Sequence, residues 1–77
     1  MITTEVKDIS QTEHAEVEIY LDHEGLGLLL KELKILEAKG GHVHFMTPAW
    51  AGNELSEEKV GAENTLINHL CIILKQD

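Results

Sequence analysis

Apolar and polar residues alternate in two early stretches of the chain, as expected for strands that bury one face. Residues 14–21 have an apolar side chain at every second position, from Ala15 to Leu21. Residues 2–9 alternate more weakly, and the polar residues 10–13 between the two stretches are typical of a turn. The pattern therefore predicts two strands joined as a hairpin.

The next segment has helical spacing up to about residue 39. Asp22 stands at the position of an N-cap, and the pair Gly40 and Gly41 suits the left-handed backbone that ends a helix. Leucines recur at i, i+3, i+4 and i+7, which predicts one apolar stripe that packs the helix on a sheet. The stripe consists of Leu26, Leu29, Leu30, Leu33 and Leu36.

The second half of the chain contains two further predicted strands. Residues 42–47 alternate, with Phe45 on one face and His42 and His44 on the other, and Pro48 ends the strand. Residues 49–61 are typical of an ordered loop or a short helical turn. Residues 65–75 are apolar on both faces, which predicts a central strand. We interpret Cys71 within it as a core residue.

The order strand, strand, helix, strand, loop, strand predicts an α+β fold with a single sheet of about four strands and one helix packed on one face. One helix leaves the second face of that sheet open. We expect the open face to be covered by the loop around Trp50, by a second copy of the chain in a homodimer, or by another protein.

Composition restricts the domain count and the class of partner. Seventy-seven residues make one domain, residues 1–77, with a thin core. The chain has 14 acidic residues against 6 basic ones, all of them lysines, and a formal charge of -8. Such a surface repels phosphate backbones and anionic lipid, so we expect no nucleic acid and no membrane as partner. A basic protein would instead be attracted.

Other features of the sequence bear on location and cofactors. No apolar run approaches the roughly 18 residues needed to span a bilayer, and the first residues lack the pattern of a signal peptide. We therefore expect a cytoplasmic protein. The single cysteine excludes an intrachain disulfide and a multi-cysteine zinc site. We predict no cofactor.

Three histidines are the candidates for metal binding or catalysis. His42 and His44 project from one strand face, and His69 lies on a strand that could pair nearby. Imidazoles grouped in this way could bind zinc or transfer protons in a small hydrolytic enzyme. A His-x-His pair also arises by chance, and strand histidines that bond neighbouring backbone or carboxylates are the more ordinary interpretation.

An acidic cluster lies close to the single tryptophan. Glu54, Glu57 and Glu58 have no glycine-rich phosphate loop, nucleophile elbow or basic clamp beside them, so we predict no catalytic residues there. They form either a solvated loop or a docking surface for a basic partner. Trp50 either fills the core beneath the loop or is an exposed aromatic anchor. The predicted partner-binding residues are Trp50, Glu54, Glu57 and Glu58.

Two segments, EIYLDHEGLGLLLKEL and GGHVHFMTPAWAGNELSEEKVGAENTLINHLCIIL, resemble the immunity protein 32 family of bacterial polymorphic toxin systems. The resemblance covers about residues 18–74. Its motifs are short, and none is a catalytic signature. The motifs are the helix start Asp22-x-Glu24-Gly25-Leu26, the strand with His42 and His44, the loop around Trp50 with Glu54-Leu55-Ser56, and the last strand, opened by Asn64-Thr65 and containing His69. We call the loop of residues 49–61 the tryptophan loop.

The resemblance implies a small α+β protein that binds and neutralises a toxin encoded beside it, without enzymatic activity. Many such toxins are basic nucleases, which would match the acidic charge of this chain. Two alternatives remain from the residues themselves. One is a small metal-binding or hydrolytic enzyme that uses His42, His44 and His69, and the other is a homo-oligomeric structural module.

Overall fold

The computed structural model describes residues 1–7 and 16–76. Its fold class is α+β, as predicted, but the strands form two sheets instead of the predicted single sheet of about four strands. The sheets have the strand orders β2-β1-β4 and β3-β5. The elements are β1 (Ile2–Val6), β2 (Val17–Leu21), α1 (His23–Lys39), β3 (His42–Met46), a 3-10 turn (Pro48–Trp50), β4 (Thr65–Leu66) and β5 (His69–Ile73).

β1 is the central strand of its sheet. It pairs antiparallel with β2, with Ile2 opposite Leu21, and this confirms the pairing predicted for the first two strands. On its other side it pairs antiparallel with β4, where Glu5 lies opposite Leu66. The predicted turn at residues 10–13 and the flanking residues 8–9 and 14–15 lie outside the described residues.

The apolar stretch 65–75 is not one central strand, so that prediction was wrong. It divides into β4 and β5, which belong to different sheets. At the division, Ile67 donates its amide hydrogen to the Thr4 carbonyl, and the Asn68 carbonyl accepts from the Thr47 amide. Among the described residues β5 pairs with β3 alone and is an edge strand. Cys71 is exposed and is not a core residue, because it points away from the interior.

The ends of α1 lie where the sequence predicts them. The Asp22 carboxylate accepts a hydrogen bond from the Gly25 amide at 2.7 Å and acts as the N-cap. At the other end Gly40 has a φ of 72°, and its amide donates to the Leu36 carbonyl. A positive φ is the conformation that glycine adopts without steric cost.

The packing face of α1 differs from the predicted stripe. Leu26, Leu30 and Leu33 are exposed, with Leu30 at 50%, so the prediction that these leucines pack the helix on a sheet was wrong. Only Leu29 and Leu36 of the stripe face the interior. The buried face consists of Gly25, Leu28, Leu29 and Leu36, which keep the same helical spacing on a rotated face.

Gly25 explains the rotation of the helix. A Cβ atom at this position would lie 1.9 Å from the Met1 carbonyl oxygen. The backbone of α1 therefore approaches the start of β1 at Gly25 more closely than any larger residue would permit. This contact turns Leu28 and Leu29 toward Ile2 in the core.

The core joins the two sheets and the helix. Its fully buried side chains are Ile2 of β1, Phe45 of β3 and Leu55 of the loop after the 3-10 turn. Partly buried side chains surround them: Leu21, Leu28, Leu29, Val43, Leu70 and Ile72. The described part of the chain contains no helix with the length and apolar character required to cross a bilayer.

Candidate functional site

The β3-β5 sheet has one face in the core and one face turned outward. The register places His44 opposite Cys71 and Met46 opposite His69. Successive residues of a strand alternate between faces, so the side chains of all three histidines project from the face opposite Phe45. We call this side the outer face, and it consists of His42, His44, Met46, His69, Cys71 and Ile73.

The structure brings the three candidate histidines together on the outer face. The His44 Nδ1 and His69 Nε2 atoms are 2.6 Å apart, and their rings stack with centroids 4.8 Å apart. The ring of His42 meets that of His44 edge-on at 4.7 Å. A hydrogen bond between two imidazole nitrogens needs one donor and one acceptor, and the tautomers of the two rings decide which nitrogen donates.

The three histidine rings contact one another directly. In the part of the chain that the structure describes, no group of three His, Cys, Asp or Glu side chains is placed to hold a metal ion. The His44 Nδ1 and His69 Nε2 atoms are in direct contact at 2.6 Å. Zinc ligands instead surround the ion tetrahedrally. Metal binding by His42, His44 and His69 remains a hypothesis for metal analysis.

Trp50 extends the row of stacked rings. The 3-10 turn begins at Pro48 and closes at Ala51, whose amide donates to the Pro48 carbonyl and whose φ is 64°. This turn lays the Trp50 ring on His69 with centroids 5.9 Å apart and planes inclined by 30°. The side chain is 55% exposed, whereas Leu55, later in the same loop, is buried in the core. Of the two interpretations of Trp50, the structure favours the exposed aromatic.

Glu54 and Glu57 hold the tryptophan loop in shape. The Glu57 carboxylate accepts a hydrogen bond from the Ala49 amide at 2.6 Å, and Glu54 accepts from the Asn53 amide at 3.0 Å. The backbone amides of Glu54 itself and of Asn53 lower the pKa of the Glu54 carboxyl, because they stabilise its charged form. The third predicted acid, Glu58, is exposed. The three acids therefore differ in their roles.

Sequence reasoning missed the buried carboxylate of Glu5. Its oxygens accept hydrogen bonds from the backbone amides of Val60 and Gly61 and from Asn64 Nδ2, the last two at 2.9 Å. Asn64 Nδ2 also donates to Glu18 Oε1 at 2.9 Å. These bonds tie the loop that precedes β4 to β1 and β2. A single glutamate within a weakly alternating strand gives no sequence signal for such a role.

Hydrogen bonding sets the ionisation of Glu5. Burial raises the pKa of the Glu5 carboxyl, but the bonds from the Val60 amide, Asn64 and the Gly61 amide together outweigh that effect. The net pKa lies below the ordinary value of 4.5, with a further contribution from the positive charge of Lys59. Glu5 is therefore a charged anchor at neutral pH.

Charged residues are absent from two long stretches of the sequence. Residues 40–53 and 64–74 contain no Asp, Glu or Lys, although the chain as a whole has 20 such residues among 77. These stretches include β3, the 3-10 turn, β4 and β5. The outer face consequently contains no Asp, Glu or Lys, and all 20 such residues lie in the rest of the chain.

The chain is similar to a known protein family. A family model described as Immunity protein 32 matches residues 16–70, which is more than half of the 77 residues. The matched segment contains α1, the tryptophan loop and the three histidines of the outer face. It confirms the resemblance seen in the sequence. No curated protein and no solved structure matches the chain.

Proposed function

This chain belongs to the immunity protein 32 family, and we propose that it protects its own cell by binding and neutralising a cognate protein toxin. The observation that carries this proposal is the family match over residues 16–70. The mode of action is stoichiometric inhibition by binding in the cytoplasm, and no reaction is catalysed. No cofactor is required for this function.

The charge of the chain supports a basic toxin, such as a nuclease. A formal charge of -8 produces a negative field that accelerates the approach of a basic protein. An enzyme that cleaves nucleic acid has a basic surface for the phosphate backbone, and an acidic inhibitor competes for that same surface. Electrostatic attraction of this kind sets the association rate more than the final affinity.

We place the docking surface at the tryptophan loop, with Trp50, Glu54, Glu57 and Glu58 as its residues. Trp50 is exposed but already ordered by its stack on His69. An aromatic side chain that is ordered before binding loses little entropy on association, which suits a binding anchor. Glu58 contributes charge at the rim, while Glu54 and Glu57 keep the loop in the shape that presents Trp50.

Co-expression tests the proposed function. The toxin domain encoded beside this gene is expressed from an inducible promoter, alone or together with the chain. We expect growth arrest by the toxin alone, restored growth with the chain, and a stable complex of the two on size exclusion. A matched control replaces the toxin domain with one from an unrelated system, which the chain should leave active.

Two outcomes would contradict the proposal. The first is growth arrest in the presence of folded chain, with no complex formed. The second is a stoichiometric metal bound by His42, His44 and His69, together with a hydrolytic activity that is lost on chelation. The second outcome would favour the metal-binding enzyme.

A further inference from the structure

One edge of β5 has backbone groups that point away from its partner strand. The bonds from the Thr47 amide to the Asn68 carbonyl and from the Leu74 amide to the Gly41 carbonyl fix which facing residues exchange hydrogen bonds. Antiparallel strands alternate between bonded and non-bonded pairs. In the register of β3 and β5, His69, Cys71 and Ile73 belong to the non-bonded pairs. Their backbone amides and carbonyls therefore point away from β3, along the plane of the sheet. We call these three residues the β5 edge.

The β5 edge lacks the features that usually protect an exposed strand. Natural edge strands are blocked by charged side chains, prolines, bulges or a covering segment. Residues 64–74 contain no Asp, Glu, Lys or Pro, and Ile73 is 69% exposed. Within residues 1–7 and 16–76, no strand or loop forms backbone hydrogen bonds with the outward groups of this edge.

The other edge of the same sheet is partly covered. The Met46 carbonyl on β3 accepts a hydrogen bond from the Leu55 amide, and the Met46 amide approaches Glu54 Oε2 at 3.4 Å. The tryptophan loop therefore protects the end of β3. Of the two edges of this sheet, the β5 edge is the one where the described residues leave a full run of outward donors and acceptors that an added strand can use.

We propose that the β5 edge pairs with the β5 edge of a second copy of this chain. The two strands run antiparallel about a two-fold axis at Cys71 and form a continuous sheet in the order β3-β5-β5-β3. Cys71 then faces the same residue of the other copy, and His69 faces Ile73. Because the axis is perpendicular to the sheet, both outer faces lie on one side, and both Trp50 side chains stay accessible.

Charge distinguishes a second copy from the toxin as the occupant of this edge. Two copies of a chain with a formal charge of -8 repel one another over most of their surfaces. The uncharged residues 64–74 are where close approach costs least. A basic toxin would gain nothing electrostatically at this edge and is attracted to the acidic surfaces instead. Strand pairing is also self-complementary, since one edge supplies both the donors and the acceptors.

Sedimentation velocity over a wide concentration range tests the dimer. We expect a monomer-dimer equilibrium in the wild-type chain. Cys71→Pro removes an outward amide without removing a bond to β3, and Ile73→Asp places a charge at the edge. Each should raise the dissociation constant of the dimer by more than about tenfold. Leu30→Asp, at an exposed position of α1, is the matched control and should leave the dimer intact.

Cross-linking gives a second measurement on the unmodified chain. A short bismaleimide should join two copies through Cys71, and Cys71→Ser should abolish the product. A monomer at all concentrations, or a dimer that Leu30→Asp dissociates while Ile73→Asp leaves it intact, would overturn the proposal. Melting curves verify that each variant is folded. Growth rescue is scored separately, so a monomeric chain that still neutralises its toxin would leave the proposed function standing.

Discussion

β1 is rich in polar residues but buried, whereas β5 is rich in apolar residues but partly exposed. β1 reads Ile-Thr-Thr-Glu-Val, yet Ile2, Thr3, Thr4 and Glu5 are all buried. β5 reads His-Leu-Cys-Ile-Ile, and its residues alternate between exposed and half-buried. The difference arises because β1 is covered along both sides. β2 pairs with all of it on one side, and on the other side β4 pairs with its end while the amides of Ser56 and Ile67 bond the Ile2 and Thr4 carbonyls. Among the described residues, β5 pairs with β3 alone. Burial of these two strands follows the segments that cover them, and the apolar content of a strand does not predict it.

The region around β1 is buried, whereas the outer face of the β3-β5 sheet is exposed. β1, with the helix that packs on its start and the loop that Glu5 anchors, determines whether the chain folds. The β3-β5 sheet carries stacked rings and uncharged residues on its exposed outer face, and we propose that partners bind there and at the adjoining tryptophan loop. Substitutions around β1 should therefore act on stability, and substitutions on the outer face should act on binding.

Gly25→Ala should have the largest effect. Alanine normally stabilises a helix by about 1 kcal/mol relative to glycine. At Gly25, however, the added Cβ would lie 1.9 Å from the Met1 carbonyl, so α1 and β1 would have to separate. We expect loss of cooperative thermal unfolding, measured by circular dichroism. Gly27→Ala is the control, because no atom lies within 4 Å of its added Cβ, and it should stabilise the chain. A stable Gly25→Ala variant would contradict the contact between α1 and β1.

Leu36→Ala should have the next largest effect. Leu36 is buried and Leu30 is 50% exposed, although both belong to the leucine stripe of the sequence. Removal of a buried leucine side chain costs about 2 to 5 kcal/mol of unfolding free energy. Leu30→Ala should cost about 0.5 kcal/mol or less, as at other surface positions. Urea denaturation measures both. Equal losses in the two variants would show that the helix packs on the predicted stripe after all.

Glu5→Gln tests the anchor on β1 through its pH dependence. The folded-state pKa of Glu5 lies below the ordinary value of 4.5, so its charged form stabilises the fold above that pH. This contribution is lost as the pH falls below 4.5 and through the lower folded-state value. The variant should melt at a lower temperature than the wild type at neutral pH, and the difference should shrink in acid. Glu37→Gln, on the exposed side of α1, should show no such difference.

The sequence predicted the elements better than their packing. The ends of α1 were predictable because Asp22 and Gly40 act through local hydrogen bonds. The rotation of α1 was not, since apolar residues lie around most of the helix and its orientation depends on the contact of Gly25 with Met1. Such a contact joins residues far apart in the chain and leaves no periodic signal.

The candidate site was predictable to the same limited extent. Alternation along β3 places His42 and His44 on one face, and this follows from the strand period alone. The stack of Trp50 on His69 depends on the register between β3 and β5, which the sequence does not specify. The bond from the Ala49 amide to Glu57, by which a predicted docking residue also supports the loop, depends on contacts that the sequence does not specify either.

Glu58→Gln should leave stability unchanged and alter only the association with the toxin. Its exposed side chain contributes to the negative field, so removal of the charge should slow association and weaken its dependence on salt. Glu37→Gln removes the same charge from α1 and serves as the control. Stopped-flow binding to the toxin domain measures both rates. An equal slowing in the two variants would place the docking surface away from the tryptophan loop.

The most direct test of the account combines a melt and a binding measurement on Trp50→Ala. Because Trp50 is 55% exposed and lies outside the buried core, the melting temperature should stay close to that of the wild type. Loss of a central aromatic anchor costs about 2 kcal/mol or more of binding energy, so dissociation from the toxin domain should be about 30-fold faster. A Trp50→Ala variant that melts like the wild type and dissociates at the wild-type rate would contradict the claim that this loop holds the toxin.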